Sequence, residues 1–423
     1  MLGFAPVARA DAFLDPNAAI TRVFELCDER LALMPEVAAA KWQTHAPVTD
    51  PVREDAVIER AVTRGTELGL APEGIRALFA LQIRLARELE QRRVERWAHN
   101  GYDGPTPARD LPAELRPRLD VLSAELLEAL YLAMPTLETL ETGGLDATLT
   151  EIARARLPAP DWTAGSRGEL SRAVSALRRI PVPRLERVYA SGLLRIGTTG
   201  DYAPFSLEAR GELEGADIEL GKAIAVRLGL RPVFVRTRWD TLIADLAADR
   251  FDLALGGVSV TPPRAAAGMF TAPYEQGGKT LIARCRDRAR FASLAAVDRP
   301  SVRVVVNPGG TNQDFVREHI RHATVSVHPD NRTIFDDLLS GRADVMVTDD
   351  VEVELETRRE PALCRTFPGV LTHSVKAILV ARDAAWHARV NAALAAEIAA
   401  GHPKRLLAHY LQQAAFASPD HAP

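Results

Sequence analysis

Four cations, one amide and one carboxyl stand out in the first half of the chain, where the hydrophobic pattern is helical throughout. Arg30 and Lys41 are eleven residues apart, about three helical turns. A helix continuing through Pro35 sets both beside one apolar stripe made by Ile20, Val23, Phe24, Cys27 and Leu31. Arg53 and Arg116 open two further helical patterns. Gln82 and Glu90 fall seven and fifteen residues after Ile75, on the face that Ile75, Leu78, Phe79, Ile83, Ala86 and Leu89 mark for burial. Polar groups there need partners, and cations converging on them make a pocket for a compact dianion. Taken singly, each cation also fits a solvated or snorkelling side chain; Gln82 and Glu90 are harder to place that way.

The second half holds a different set. Pro308-Gly309-Gly310-Thr311-Asn312 follows a strand pattern and opens a helix, an arrangement that points free backbone N–H groups at an anion, although a plain strand-to-helix turn reads the same. Glu352 stands three residues after Asp349, so a helical turn there gives both one face. A solvated carboxylate at a helix start is the plainer reading. Tyr202, Phe205 and Trp239 suit the lining of a ring pocket or ordinary packing near strand ends. Lys279 and Lys376 add positive charge that the sequence alone does not place.

These residues need two kinds of scaffold. At 423 residues, with 47% hydrophobic and 26% charged side chains, the chain has the length of two or three globular domains. From residue 16 to about 180 the periodicity is helical, with no period-two stretch. Asp50-Pro51 is an N-cap followed by a first-turn proline, opening a helix that stops near Gly69. The longest helix opens after Pro72 and runs to Trp97, and a fourth runs from about Leu115 through Leu130. Pro35 is expected to kink or end the first.

Around Pro181-Val182-Pro183 short apolar runs begin to alternate with amphipathic stretches, as in βαβ units. Strands are expected at 193–199, 232–235, 251–256, 302–307, 324–327 and 343–348. The expected organisation is a leader remnant or disordered start at 1–15, an all-α domain at 16–181, an α/β domain at 182–415 and a flexible tail at 416–423.

The net charge of −4, without Lys/Arg-rich blocks, leaves little basis for binding nucleic acid or an anionic membrane surface. No apolar run approaches the ~20 residues that span a bilayer. Met1 to Ala10 ends in Ala-Arg-Ala, like the end of a signal peptide, but lacks the charged and apolar parts of one. Cys285 and Cys364 lie in the same half and can pair in an oxidising compartment, whereas Cys27 reads as a small buried hydrophobe. Three scattered cysteines do not make a zinc site, and no metal or cofactor is expected.

Glu29-Arg30-Leu31, Lys41-Trp42, Asp50 with Arg53-Glu54, Phe79-x-x-Gln82-Ile83, Glu90 and Leu115-Arg116-Pro117 resemble the AroQ-type chorismate mutases, with the secreted, single-chain-site subclass the best fit. The resemblance implies rearrangement of chorismate to prephenate, with Arg30, Arg53 and Arg116 holding the two carboxylates and Gln82 in the pocket wall. Lys41 and Glu90 then address the ether oxygen, where charge develops as the C–O bond breaks. Glu90 can donate only when protonated, so its pKa is expected to be raised. Ala86 and Val57 depart from relatives that carry polar groups there.

Gly215-Ala-Asp217-Ile-Glu-Leu-Gly-Lys-Ala-Ile224, Leu255-Gly-Gly-Val-Ser259-Val-Thr261-Pro-Pro-Arg264 and Val347-Thr-Asp349 resemble the periplasmic amino-acid-binding proteins, a two-lobed Venus-flytrap α/β fold. In that family the arginine matching Arg264 clasps an α-carboxylate and the aspartate matching Asp349 holds an α-amino group. Thr199-Gly-Asp201-Tyr-x-Pro-Phe205, Val306-Asn-Pro-Gly-Gly-Thr-Asn312, His328-Pro-Asp-Asn331 and Thr348-Asp-Asp-Val-Glu352 narrow the resemblance to the cyclohexadienyl dehydratases. These convert prephenate to phenylpyruvate and arogenate to phenylalanine. Hydroxide leaves poorly without an acid, and Glu352 is the candidate. Asp201, Phe205, Trp239, Ser259, Thr261, Arg264, Thr311, Asn312 and Asp349 are the expected substrate contacts.

The expectation is therefore a bifunctional enzyme of phenylalanine biosynthesis, in which one domain makes the substrate of the other. Its partners are the small molecules chorismate, prephenate and arogenate, with self-association into a homo-oligomer and, by resemblance, a periplasmic location. The competing reading is a chorismate mutase fused to a non-catalytic amino-acid-binding module, which has no need of Glu352.

Overall fold

The structure, a computed structural model, describes residues 11–106, 108–140 and 142–413. The leader reading of Met1 to Ala10 and the tail at 416–423 lie outside the described residues. The chain divides into a helical unit that ends at Ser191 and an α/β unit that begins at Gly192 and also takes in Asp11–Leu14.

The helical unit comprises α1 (Pro16–Ala32), α2 (Met34–Thr44), α3 (Pro51–Glu67), α4 (Pro72–Asn100), α5 (Arg116–Thr139), α6 (Thr142–Arg156), α7 (Ala164–Ser175) and α8 (Arg184–Ser191). Local chemistry sets most of these ends. The Asp15 carboxylate accepts from Asn17 N and that of Asp50 from Arg53 N, each ahead of a first-turn proline. Of the two outcomes expected at Pro35, a kink or an end, the helix ends, so no single helix carries both Arg30 and Lys41. α1 ends at Ala32, Leu33 forms the junction, and Pro35 sits in the first turn of α2, where its missing N–H costs nothing. α1 packs along α5, and α2 and α3 pack along α4.

α8 corrects the boundary expected at 181–183. It follows Pro183 but packs on α3, so the helical unit extends ten residues further, from Val182 through Ser191.

In the α/β unit two five-stranded sheets share one plan. The first runs through Arg231–Arg236, Leu193–Thr198, Leu253–Ala254, Leu379–Val380 and Met269–Phe270. The second runs through Thr324–Val327, Arg303–Val306, Val345–Asp349, Lys279–Arg284 and Leu363–Arg365. In each, three parallel strands are followed by a fourth that pairs antiparallel with both the third and the fifth. The central strands Leu193–Thr198 and Val345–Asp349 are buried throughout, which is why they read as apolar runs without alternation.

The chain leaves the first lobe after Phe270 and returns before Leu379. The crossing segments Glu275–Gly277 and Ser374–Lys376 pair as a two-stranded antiparallel ribbon. A Cys285–Cys364 disulfide joins the end of one second-lobe strand to its neighbour.

Asp11–Leu14 is neither a leader nor a disordered start. Leu14 N donates to Phe234 O at 2.7 Å, and Leu213 N donates to Asp11 O at 2.6 Å. The Phe13 ring lies under the Arg236 guanidinium at 4.0 Å and fills the space beside Gly200, where a Cβ would stand 2.7 Å from that ring. No described helix is long and apolar enough to cross a membrane.

Candidate functional site

In the helical unit α1, α2, α3, α4 and α5 enclose a cavity of about 140 Å³ lined by all six residues marked by their spacing, Arg30, Lys41, Arg53, Gln82, Glu90 and Arg116. The break at Leu33 does not separate Arg30 from Lys41. Gln82 and Glu90 are 3% and 5% exposed, so the polar interruptions of the α4 stripe do fall on its buried face. Ile83 and Ala86 are only half-buried because they line the cavity wall.

Arg30 Nη1 donates to Leu119 O at 3.1 Å and to the Ser123 hydroxyl, while its guanidinium stands 5.3 Å from the Phe79 ring centroid. Its Nε and the Gln82 amide nitrogen are buried donors without a partner among the described residues. Burial lowers the Arg30 pKa. Lys41 Nζ donates to Val48 O at 2.7 Å and to Glu90 Oε2 at 2.6 Å. Burial pushes the Glu90 carboxyl up more strongly than Lys41 holds it down. Arg53 is more open, 3.7 Å from Asp120, and Arg116 stands at the first turn of α5.

Sequence reasoning missed Arg87, Ser123 and Asp120 in this wall. Arg87 pairs with Glu54 at 3.5 Å. It sits three residues before Glu90, a helical neighbour, and that spacing was the available signal. Ser123 carried none, since its role is set by Arg30 from another helix.

In the α/β unit a small cleft of about 30 Å³ lies between the lobes. Its first-lobe wall includes Tyr202, Trp239, Ser259 and Arg264, and its second-lobe wall includes Thr311, Asn312, Asn331 and Asp349. Lys279 and Lys376, unplaced by sequence, come from or beside the ribbon that joins the lobes.

Asp349 is the hub. Its Oδ1 accepts from Lys279 Nζ and its Oδ2 from Lys376 Nζ, both at 2.6 Å, and the Tyr202 hydroxyl adds a third bond from the opposite lobe. Burial pushes the Asp349 carboxyl up, but the two lysines outweigh it and hold it well below the usual carboxylate range. Lys279 also donates to the Thr311 hydroxyl at 2.7 Å and to the Asn312 side-chain oxygen Oδ1. Lys376 donates to the Ser259 hydroxyl at 2.8 Å. Arg264 donates to Ser259 O at 3.0 Å and lies 5.4 Å from the Trp239 ring centroid.

The loop before Ser259 is held from below. Asp217 accepts from Gly256 N at 3.0 Å and Gly257 N at 2.6 Å, and burial pushes its carboxyl up to about 6. Gly257 has φ +72°, and a Cβ there would stand 2.5 Å from the Tyr202 ring. Only glycine lets this backbone approach the ring.

Several expected contacts do not line the cleft. Phe205 is 1% exposed and packs under Tyr202, at 5.2 Å between ring centroids. The Asp201 carboxylate accepts from Trp239 Nε1 at 3.2 Å, and its carbonyl from Asn331 Nδ2 at 2.9 Å, so it orients the wall. Thr261 stands at the N-cap of the helix Pro262–Ala267 that carries Arg264.

Glu352 requires a larger correction. The turn is helical as expected, but Glu352 does not face the cleft beside Asp349. Its carboxyl accepts from the Thr348 hydroxyl one layer behind the wall, and Asn312 Nδ2 in turn donates to Thr348 Oγ1 at 3.1 Å. Burial pushes Glu352 up to about 8 against the Thr348 bond, with Asp349 adding to the rise.

Comparison with known proteins divides at the same place. The family of bacterial extracellular solute-binding proteins, family 3, matches residues 194–413, and chorismate mutase type II matches residues 21–91. A cyclohexadienyl dehydratase of Pseudomonas aeruginosa is 40% identical over 231 residues, 54% of this chain and 86% of that protein. The L-cystine-binding protein TcyJ of Escherichia coli is 27% identical over 166 residues, 39% of this chain and 62% of its own length. Among solved structures, an ancestral amino acid-binding protein described as a precursor of cyclohexadienyl dehydratase is 30% identical, with a TM-score of 0.51, over 55% of this chain and 100% of that one. An arginine-bound transporter substrate-binding protein of Streptococcus pneumoniae, 22% identical with a TM-score of 0.52 over 55% of this chain and all of its own, shares the fold.

Proposed function

Because the chain belongs to the bacterial extracellular solute-binding proteins, family 3, and carries a type II chorismate mutase domain ahead of that region, we propose that it converts chorismate to prephenate and prephenate to phenylpyruvate. It is a bifunctional enzyme of phenylalanine biosynthesis, an isomerase followed by a lyase. The observation that carries this reading is the pairing of a cation-lined cavity in the helical unit with a cationic cleft backed by the buried acid Glu352.

In the first site Arg30, Arg53 and Arg116 hold the two carboxylates of chorismate. The unpaired Nε of Arg30 and the Gln82 amide are donors that need no reorganisation to receive it. Lys41 and a protonated Glu90 meet the ether oxygen as the C–O bond breaks and the new C–C bond forms within the same molecule. Charge on that oxygen grows only toward the transition state, so these two donors accelerate the reaction rather than merely tighten binding.

In the second site Arg264 and the two lysines attract the carboxylates of prephenate. A cavity of about 30 Å³ admits roughly one water molecule, so the lobes part to load substrate. Glu352, neutral at pH 7, turns from Thr348 toward the ring hydroxyl once substrate fills the cleft. Protonation lets that hydroxyl leave as water, the electrons of the C–CO2 bond pass into the ring, and carbon dioxide departs. Arogenate follows the same course to phenylalanine.

The extracellular family and the Cys285–Cys364 bridge support a periplasmic location. The strand Thr324–Val327 lies at a sheet edge with Val325 and Val327 42% and 48% exposed, which supports self-association into a homo-oligomer. Sedimentation measures that assembly directly.

The catalytic reading is tested by giving chorismate to wild type, Arg53→Ala and Glu352→Gln. Phenylpyruvate from wild type, persistent chorismate with Arg53→Ala and accumulated prephenate with Glu352→Gln establish two sequential sites. Wild type that stops at prephenate makes the α/β unit a binding module instead.

A further inference from the structure

Of the cations that line the helical cavity, Arg30 is the most buried, at 8% exposure. Both of its hydrogen bonds leave from one nitrogen. Nη1 donates to Leu119 O at 3.1 Å and to the Ser123 hydroxyl, two acceptors four residues apart on α5. The single proton of that hydroxyl goes to Leu119 O at 2.6 Å, so Ser123 Oγ turns only lone pairs toward Nη1. Leu119 O and Ser123 Oγ thus act as a two-point clamp on one end of the guanidinium. From α4 the Phe79 ring stands 5.3 Å from the same group, which is therefore held between two helices.

The opposite edge of the guanidinium is left over. Nε is buried without a partner among the described residues, and Nη2 takes part in neither bond. These two nitrogens lie side by side and form a fork that can receive both oxygens of one carboxylate in parallel. Without Ser123, Nη1 keeps Leu119 O alone and becomes a further donor seeking an acceptor. A ligand carboxylate can then be drawn to the end of the guanidinium instead of its side.

We propose that Ser123 is a positioning residue of the mutase, clamping Arg30 at Nη1 so that a carboxylate of chorismate is received side-on by Nε and Nη2. The proposal rests on the mutase reading of this cavity and adds to it the residue that orients its most buried cation. The carboxylates keep their charge throughout the rearrangement, so their contact with Arg30 is equally strong before and at the transition state. Its loss falls on KM rather than on kcat.

The test is a double-mutant cycle on chorismate with wild type, Ser123→Ala, Arg30→Ala and the double variant, and Ser123→Thr alongside. Ser123→Ala is expected to raise KM about tenfold, the scale of a hydrogen bond to a charged group, with kcat within about twofold of wild type. In the Arg30→Ala background the same substitution is expected to change kcat/KM by less than about twofold, because its target is gone. Ser123→Thr keeps a hydroxyl able to bond the carbonyl four residues back and is expected to hold KM within about threefold of wild type. An unchanged KM in Ser123→Ala, a loss confined to kcat, or an equal loss in the Arg30→Ala background overturns the proposal while leaving the mutase intact. Should Arg30→Ala be too slow to measure, Ser123→Thr decides: a KM close to wild type supports the clamp, and one as high as that of Ser123→Ala overturns it. Wild type that leaves chorismate unchanged removes the mutase reading, and this proposal with it.

Discussion

Lys41 and Glu90 meet at 2.6 Å across the helical cavity, from positions 49 residues apart in the chain. The ammonium favours a charged Glu90, whereas burial favours a neutral one, and burial prevails. The first expectation follows from that balance. If the protonated acid donates to the ether oxygen, mutase kcat/KM falls as pH rises through the raised Glu90 pKa. Glu90→Gln keeps a donor that does not titrate, so its activity persists to higher pH. A wild-type profile flat from pH 5 to 9 excludes Glu90 as the titrating donor.

Arg87, on the same helix, lines the cavity but is shared with Glu54. Arg87→Ala is expected to raise KM for chorismate by less than Arg53→Ala does, with dehydratase activity on supplied prephenate unchanged. A collapse of mutase kcat in Arg87→Ala assigns Arg87 a place on the reacting atoms.

Glu352 predicts a pH dependence of stability with a definite sign. A carboxyl raised to about 8 in the folded state from about 4.3 in the unfolded chain keeps its proton longer when folded. The associated stability is full below about pH 4.3 and is lost as pH rises through about 8. Glu352→Gln abolishes this loss. Its Tm is expected to fall less than that of wild type between pH 5 and 8.5, even as dehydratase kcat drops about 10²–10⁴-fold. Parallel Tm profiles contradict a buried neutral Glu352.

The Cys285–Cys364 bridge closes a segment with a sequence separation of 79. Replacing both cysteines with alanine is expected to destabilise the α/β unit by about 2–4 kcal/mol, visible as an earlier urea transition. Mutase activity measured below that transition stays at the wild-type level.

Phe13 gives the fifth expectation. Phe13→Ala removes the ring beside Gly200 and under Arg236, and for a half-buried phenylalanine the loss is about 1–2 kcal/mol. Thermal unfolding followed by circular dichroism tests it, and an unchanged Tm excludes Asp11–Leu14 as a support of the first lobe.

The sequence by itself determined what is local and periodic. Asp50-Pro51 and Pro72 fixed helix starts because cap and first-turn chemistry acts within a few residues. Gln82 and Glu90 declared themselves because a helix repeats its faces, and apolar runs such as Leu193–Thr198 marked strands buried on both sides. Residue type also announced a cationic first site.

Tertiary structure decided which charges cancel. Asp349 meets Lys279 across 70 residues, Tyr202 across 147 and Lys376 across 27, and no local pattern encodes those meetings. The same holds for Glu352, whose helical spacing was read correctly but whose carboxyl turned to Thr348, and for Asp11–Leu14, whose place depends on Phe234 and Leu213. Periodicity fixes the face on which a side chain emerges. Burial and partners, set by strands and helices distant in sequence, fix what that side chain can do.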